Sequence, residues 1–288
     1  MCYHIFMKKI RACAIHDISG FGRCSLTVAL PVLSTAGIET SVIPTATLST
    51  HTGGFEGFVY RDLTDDILPY ARHWKSLDLH FDAIYTGFLG SIKQTEIVRD
   101  AVKLIGSDDT LMIVDPAMAD FGRLYSTFTD DFPAAMRGLC ANADVIIPNI
   151  TEAALLLEEP YREGPFTEGD IKGILKRLSA IGPDKVVLTG VCLEGERGIG
   201  AACYEHTEGA FSYYAEEKIE PMYHGTGDVF GSVLTAALMR GLSLEKASEA
   251  AVKFTVDAIR RTKETGADNR FGVDFEPGLS SLASLLTK

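Results

Sequence analysis

Short apolar runs alternate with longer runs of helical periodicity along most of this 288-residue chain, and that alternation restricts it to very few architectures. Residues 11–15, 39–44, 83–86, 110–114, 145–148 and 185–188 read as short buried strands. Residues 26–36, 66–76, 91–104, 132–141, 151–158 and 168–180 carry helical spacing, the first stopped by Gly37. Such alternation predicts a mainly parallel central sheet with helices on both faces, a three-layer α/β/α sandwich. The rhythm changes at 200–205 and 210–215, two short runs around a polar turn. They predict a hairpin that adds antiparallel strands at one edge. Helices return at 229–240, stopped by Gly241, at 244–263 and at 278–286. No repeat or low-complexity linker divides the chain, so it reads as one domain over 1–288. Residues 1–9 read as a short N-terminal extension, with Met7 an alternative start.

Bulk chemistry removes several classes of function. Hydrophobic residues make up 46% and charged residues 23%, as in a globular chain with a substantial core. A net charge of −12 argues against nucleic acid as a partner, since that needs a basic footprint. An anionic ligand must then be held by a local positive feature, such as the start of a helix. The six cysteines form no CxxC pair and fit neither a zinc site nor a disulfide framework. A reducing, cytoplasmic setting follows as the expectation. Cys24, near a candidate substrate loop, is either a reactive thiol or a small packed residue. No apolar run approaches the roughly 18–20 residues of a membrane span. Lys8 and Lys9 follow the first apolar patch, the wrong order for a signal peptide. Seven histidines without HExxH argue against a catalytic zinc.

In an open parallel sheet, ligands sit beyond the carboxyl ends of the strands. The polar residues there are 16–17, 47–54, 87–88, Asp115, 149–152, 189–190 and 225–228. The most informative stretch is His224-Gly225-Thr226-Gly227-Asp228, which runs into an apolar helical pattern. Its two glycines let the backbone turn tightly and bring bare N–H groups close to an anion. The helix start adds orphan donors and the positive end of a dipole, suited to a phosphoryl group. A carboxylate beside such a cradle should repel an anion. Asp228 makes sense there as the base that takes a proton from an attacking hydroxyl, or else as a helix N-cap. Asp115, before Pro116, suits Mg²⁺ or its waters beside phosphates, or an Asp-Pro turn. Asn149 and Glu152 form an N-x-x-E spacing that either orders Mg²⁺ waters or closes a capping box. The loop from Asp17 to Arg23 holds G-x-G without the third glycine of a dinucleotide fingerprint, and a Walker A loop is absent. Asp17 and Ser19 could bond a polar small molecule or shape a tight turn. The loop from Ser49 to Phe55, with Phe88 after another strand, offers hydroxyls, His51 and aromatic faces to a flat heteroaromatic ring, or is simply packed.

Six segments occur in order and at similar spacing over about residues 11–262. They are Ala14-Ile15-His16-Asp17, His51-Thr52-Gly53, Thr86-Gly87-Phe88-Leu89-Gly90-Ser91, Asp115-Pro116-Ala117-Met118, Pro148-Asn149-Ile150-Thr151-Glu152 and Gly225-Thr226-Gly227-Asp228. Together they resemble the pyridoxal kinases of the ribokinase-like superfamily. The resemblance implies a ribokinase-like fold and ATP-dependent phosphorylation of the hydroxymethyl group of pyridoxal, pyridoxamine or pyridoxine. It implies Mg²⁺, leaves room for a monovalent cation such as K⁺, and implies a cytoplasmic homodimer without nucleic-acid or membrane partners. Asp228 would be the general base, and the N–H groups of Gly225, Thr226 and Gly227 the anion hole. Asp115 and Glu152 would lie near the ATP phosphates and Mg²⁺ through waters, with Asn149 and Thr189 at the nucleotide. Asp17, Ser19, His51, Thr52 and Phe88 would line the pyridine pocket. The chain departs from the family at Asp17, where many members carry serine, at Phe88, often tyrosine, and at Thr189, lysine in some. Its first loop is also similar to the hydroxymethylpyrimidine kinases of thiamine synthesis, which stand as an alternative. A non-catalytic vitamer-binding protein on the same fold is another. The strand-rich lid of sugar kinases has no clear room in residues 39–82.

Overall fold

The computed structural model describes residues 9–286. The N-terminal extension read over 1–9 therefore lies, apart from Lys9, outside the described residues. β1 (Arg11–Ser19) is followed by α1 (Leu26–Thr35), β2 (Glu39–Leu48), a short β3 (Tyr60–Asp62) and α2 (Thr64–Ser76). β4 (Ala83–Thr86), α3 (Ile92–Ile105) and β5 (Leu111–Val114) continue the alternation. A small hairpin, β6 (Ala119–Asp120) and β7 (Arg123–Leu124), precedes α4 (Phe132–Cys140), β8 (Val145–Ile146), α5 (Ile150–Leu156), α6 (Glu168–Ser179) and β9 (Lys185–Val191). The hairpin of β10 (Gly198–Glu205) and β11 (Ala210–Glu217) leads to α7 (Thr226–Met239), α8 (Leu244–Thr265) and α9 (Leu279–Leu286).

Nine strands form one sheet in the order β11-β10-β9-β8-β5-β4-β1-β2-β3. The strands from β2 to β9 across its centre are parallel, and β10 and β11 continue antiparallel at one edge, as expected. α1, α7 and α8 bury Leu33, Val233 and Ala251 against one face, while Val98, Met136, Leu156 and Leu175 of α3, α4, α5 and α6 cover the other. This is the three-layer arrangement that the alternation predicts. The chain leaves β1 for β2 on one side and returns to β4 on the other. The strand order thus reverses between β1 and β4, the place where open α/β sheets receive ligands beyond the carboxyl ends of their strands.

Three local features differ from the expectation. β1 runs past Ile15 to Ser19, so Asp17 and Ser19 lie in a strand rather than a loop. β2 continues through Pro44 to Leu48, and its pairing with β1 shifts register between His16 and Ile18. A proline has no N–H for the ladder, and the irregularity sits where that donor is missing. At the far edge β3 pairs antiparallel with the end of β2, although Tyr60, Arg61 and Asp62 are all exposed. A strand without an apolar face leaves no periodic signal and forms only because β2 offers it an edge. The β6–β7 turn has Phe121 and Gly122 at φ 53° and 74°, the paired positive φ of a tight hairpin.

Candidate active site

The start of α7 is built on a glycine that nothing else can replace. Gly225 has φ 74°, and a Cβ there would stand 2.0 Å from the Arg23 carbonyl oxygen. Both conditions demand glycine. The Val229 N–H bonds back to the Gly225 carbonyl at 3.1 Å. The amides of Thr226, Gly227 and Asp228 ahead of it are the orphan donors of a helix start. A Cβ at Gly227 would meet nothing within 4 Å, so the space beside this turn is open.

Asp228 occupies the first turn of α7 and is partly exposed. Loss of water around its carboxyl, reinforced by the negative charge of Asp17, pushes its pKa up to about 7, against the opposing backbone N–H of Ser25. Asp17 is buried at the end of β1, and burial raises its pKa also. Its two oxygens accept the hydroxyls of Ser25 at 2.5 Å and Ser19 at 3.0 Å. Ser19 is wholly buried, which corrects its reading as a pocket-lining group: it holds Asp17 instead. Ser25 combines φ 50° with ψ −130°, a strained conformation for a side-chain-bearing residue. That conformation turns its hydroxyl to Asp17 and its N–H to Asp228. Ser25→Ala, which leaves the buried Asp17 carboxyl short of a partner, is expected to lower stability by about 1–3 kcal/mol in urea unfolding. Cys24 is buried between the two acids, and burial with both their charges raises its thiol pKa well above the usual value. It is the packed residue of the two alternatives, not a reactive thiolate.

Asp115 follows β5, and its N–H continues the ladder to the Thr86 carbonyl at 2.9 Å. Burial, then the charges of Asp228 and Asp120, hold its carboxyl well above the ordinary range. Glu152 is buried and closes a capping box, its Oε2 accepting the Asn149 N–H at 2.8 Å while Asn149 Oδ1 accepts the Glu152 N–H at 2.9 Å. Its Oε1 accepts the Met118 N–H at 3.1 Å, which fastens the segment after Asp115 to α5. Burial and the nearby Asp115 raise the Glu152 pKa. Asn149 Nδ2 donates to the Ala119 carbonyl at 2.9 Å and to Asp120 at 3.1 Å. Thr189 bridges to Asn149 across the parallel strands, beside Gly190 at φ 73°. Asp115, Asn149, Glu152 and Thr189 thus share one end of the sheet. Among the described residues no group of three His, Cys, Asp or Glu side chains is arranged to ligate a metal directly. The donors fit a hard cation that keeps its waters and is shared with a phosphate, as Mg²⁺ usually is.

His51 joins its loop to the far end of the chain. Its Nδ1 accepts the Gly53 N–H at 3.1 Å and its Nε2 bonds the Arg270 carbonyl at 2.6 Å, which assigns the proton to Nε2. Burial lowers its pKa. Both nitrogens are engaged, one within the 51–54 loop and the other tying that loop to the segment near residue 270. Arg23 reinforces that seam through the Phe271 carbonyl at 3.1 Å, Glu276 at 2.7 Å and Asp274 at 3.1 Å. Thr52 is half-buried on this loop. Phe88 is half-buried with its ring 5.5 Å from that of Phe128, which stacks on Phe132 at 3.8 Å. Ser25, Asp120 and Arg270 take part in these contacts and escape sequence reading. For Ser25 the signal was present, a serine just ahead of an apolar helix, but it suggests a cap and not a bridge between two acids.

The start of α7 and the carboxylates Asp17, Asp115 and Glu152 thus gather at one end of a mainly parallel sheet. Residues 35–272 match the family described as phosphomethylpyrimidine kinase, and the chain belongs to that family. A Bacteroides thetaiotaomicron structure, provisionally assigned as a phosphomethylpyrimidine kinase and crystallised with pyridoxal, is 40% identical with TM-score 0.91, covering 96% of each chain. Pyridoxal kinase from Lactobacillus plantarum is 32% identical with TM-score 0.87, covering 96% of this chain and 97% of its own. The pyridoxine/pyridoxal/pyridoxamine kinase of Bordetella avium is 28% identical over 263 residues, 84% of this chain and 82% of its own.

Proposed function

We propose that the protein transfers the γ-phosphoryl group of ATP to the hydroxymethyl group of a B6 vitamer. The observation that carries this reading is Asp228, a carboxylate in the first turn of α7 whose pKa stands at about 7. A base is most effective when its pKa lies near the working pH. The vitamer's oxygen bonds to the γ-phosphorus as the bond from that phosphorus to the β–γ bridging oxygen breaks. The alcohol proton passes to Asp228. The amides of Gly225, Thr226 and Gly227 hold the charge that develops on the moving phosphoryl, the largest contribution a protein makes to such a reaction. Mg²⁺, when bound, supplies further neutralisation of that charge. Asp115 would hold it through water, with Glu152 chiefly fixing the backbone around Asp115. Thr189 and Asn149 line the nucleotide end, and Thr52 and Phe88 the vitamer end. The structures and relatives that support this are those carrying pyridoxal or pyridoxal kinase in their descriptions.

A second reading, a hydroxymethylpyrimidine kinase, is favoured by the description of the family. A coupled ADP-release assay with pyridoxal, pyridoxamine, pyridoxine and hydroxymethylpyrimidine decides between them. The expected result is turnover with a B6 vitamer. Turnover with the pyrimidine alone moves the function to thiamine synthesis, and vitamer binding without turnover makes the protein a binder. The free enzyme's kcat/KM should rise with pH and level off above about 7, because only the ionised Asp228 accepts the proton. A profile flat from pH 5.5 to 8.5 contradicts that role.

A further inference from the structure

Gln94 is fully buried at the start of α3, and both ends of its amide are engaged. Its spacing from Ser91 is that of a capping box, and Ser91 Oγ does accept the Gln94 N–H at 3.2 Å. The return bond goes one residue further back: Gln94 Oε1 accepts the Gly90 N–H at 2.7 Å. Nε2 donates to the Thr45 carbonyl of β2 and to the Thr64 hydroxyl opening α2, both at 2.9 Å, with Asp62 Oδ2 of β3 at 3.4 Å. A carbonyl on one side and an N–H on the other fix which end of the amide is which. Burying an amide is costly unless its bonds are made, so this one holds its partners at set places. Those partners support the vitamer end. Thr45 and Asp62 lie on the two stems of loop 49–59, which carries Thr52. Ser49 and Val59 close the neck of that loop with bonds of 3.0 and 2.8 Å. Gly90 ends the turn 87–90, which carries Phe88. Thr45 holds that turn a second time, its hydroxyl donating to the Phe88 carbonyl at 3.1 Å. A Cβ at Gly90 would stand 2.3 Å from the Tyr60 hydroxyl of β3, and one at Gly87 2.2 Å from His16 Nδ1 of β1, so the turn packs on both strands. Asn149 and Thr189 lie elsewhere: β1, β4 and β5 separate β2 from β8 and β9.

We infer that Gln94 is a positioning residue for the vitamer end: its amide clamps the turn that carries Phe88 to both stems of the loop that carries Thr52. Gln94 touches no substrate and acts through those two segments. The inference deepens the proposed function and rests on Thr52 and Phe88 lining the vitamer. Gln94→Met keeps the length of the side chain and removes every bond of the amide. Hydrogen exchange of the ligand-free protein tests the clamp apart from any activity. Amides of 49–59 and 87–90 should exchange about tenfold faster in Gln94→Met, with α5 and α6 unchanged. ADP release and calorimetry with pyridoxal on the unmodified protein test the kinase reading. Neither binding nor turnover there removes that reading, and this positioning role with it. With binding in hand, Gln94→Met is expected to raise the pyridoxal Kd and KM about tenfold and to leave KM for Mg·ATP within twofold. Thr45→Val, which removes only the hydroxyl on the Phe88 carbonyl, should show the same split at about threefold. In a Phe88→Ala background Thr45→Val should change pyridoxal affinity less than twofold, since the ring it positions is gone. Unchanged exchange or unchanged pyridoxal affinity in Gln94→Met overturns the proposal, whatever happens to Tm. So does an equal loss toward pyridoxal and Mg·ATP, the mark of general loosening. If Gln94→Met does not fold, Thr45→Val and its double variant decide alone.

Discussion

Asp228→Asn is expected to lower kcat by roughly 10²–10⁴ while the vitamer still binds, because it removes the proton acceptor and preserves the shape. Steady-state turnover and calorimetric vitamer affinity measured together check this. Near-normal kcat, or loss of binding in step with kcat, counts against a general base. The same substitution has an opposite effect on stability. The folded pKa of about 7 lies above the ordinary 3.8, so between those values the folded protein binds a proton that the unfolded chain has released. Stability from this group is therefore fully present below about pH 3.8 and is lost as pH rises to 7. Asparagine carries no charge to bury, so its stabilising effect should grow across that window and level off above it. At about 1.36 kcal/mol per unit, less the screening that partial exposure allows, the gain at pH 8 is at most about 4 kcal/mol. Thermal unfolding at pH 5 and pH 8 reads it directly. An activity loss with a pH-dependent rise in Tm is the pattern of a strained catalytic carboxyl, and a fall in Tm at pH 8 would show a structural cap instead.

Gly225→Ala is the second large effect. An alanine at φ 74° is strained, and its methyl would stand 2.0 Å from a backbone carbonyl oxygen that has no rotamer to move. Either the loop at Arg23 or the first turn of α7 must shift, at a cost of about 2–4 kcal/mol. Because Ser25, two residues beyond Arg23, carries the contacts to Asp17 and Asp228, the shift misaligns base and cradle together. A fall in kcat/KM beyond 10² is expected, comparable to losing an oxyanion donor. Gly227→Ala is the control: a Cβ there meets nothing within 4 Å, so urea unfolding should be unchanged. Equal stability of the two variants would mean that the turn is not the constraint described.

Much of the layering was legible because it depends on periodicity. β4 and β5 are short, apolar and wholly or nearly buried, and α3, capped by Ser91 through the Gln94 N–H at 3.2 Å, shows its boundary in the chain. The hairpin of β10 and β11 was legible for the same reason. β3 was not, since three exposed residues acquire strand geometry only from a neighbour's edge. At the site, the glycine–threonine–glycine–aspartate run and the N-x-x-E spacing announce local backbone chemistry that six or fewer residues complete. Which partner a side chain chooses is another matter. His51 carries the same imidazole whatever it bonds, and only the arrival of Arg270 from the far end of the chain gives its Nε2 a partner.

The order of residues alone determined the alternating layers, the place where bare amides gather and the carboxylate beside them, because each follows from spacing within a few residues. Tertiary structure decided the proton affinity of that carboxylate and the pairing of Asp17 with Ser25. Those depend on how much water is excluded and which distant groups approach, and both are set only when the helices close over the sheet.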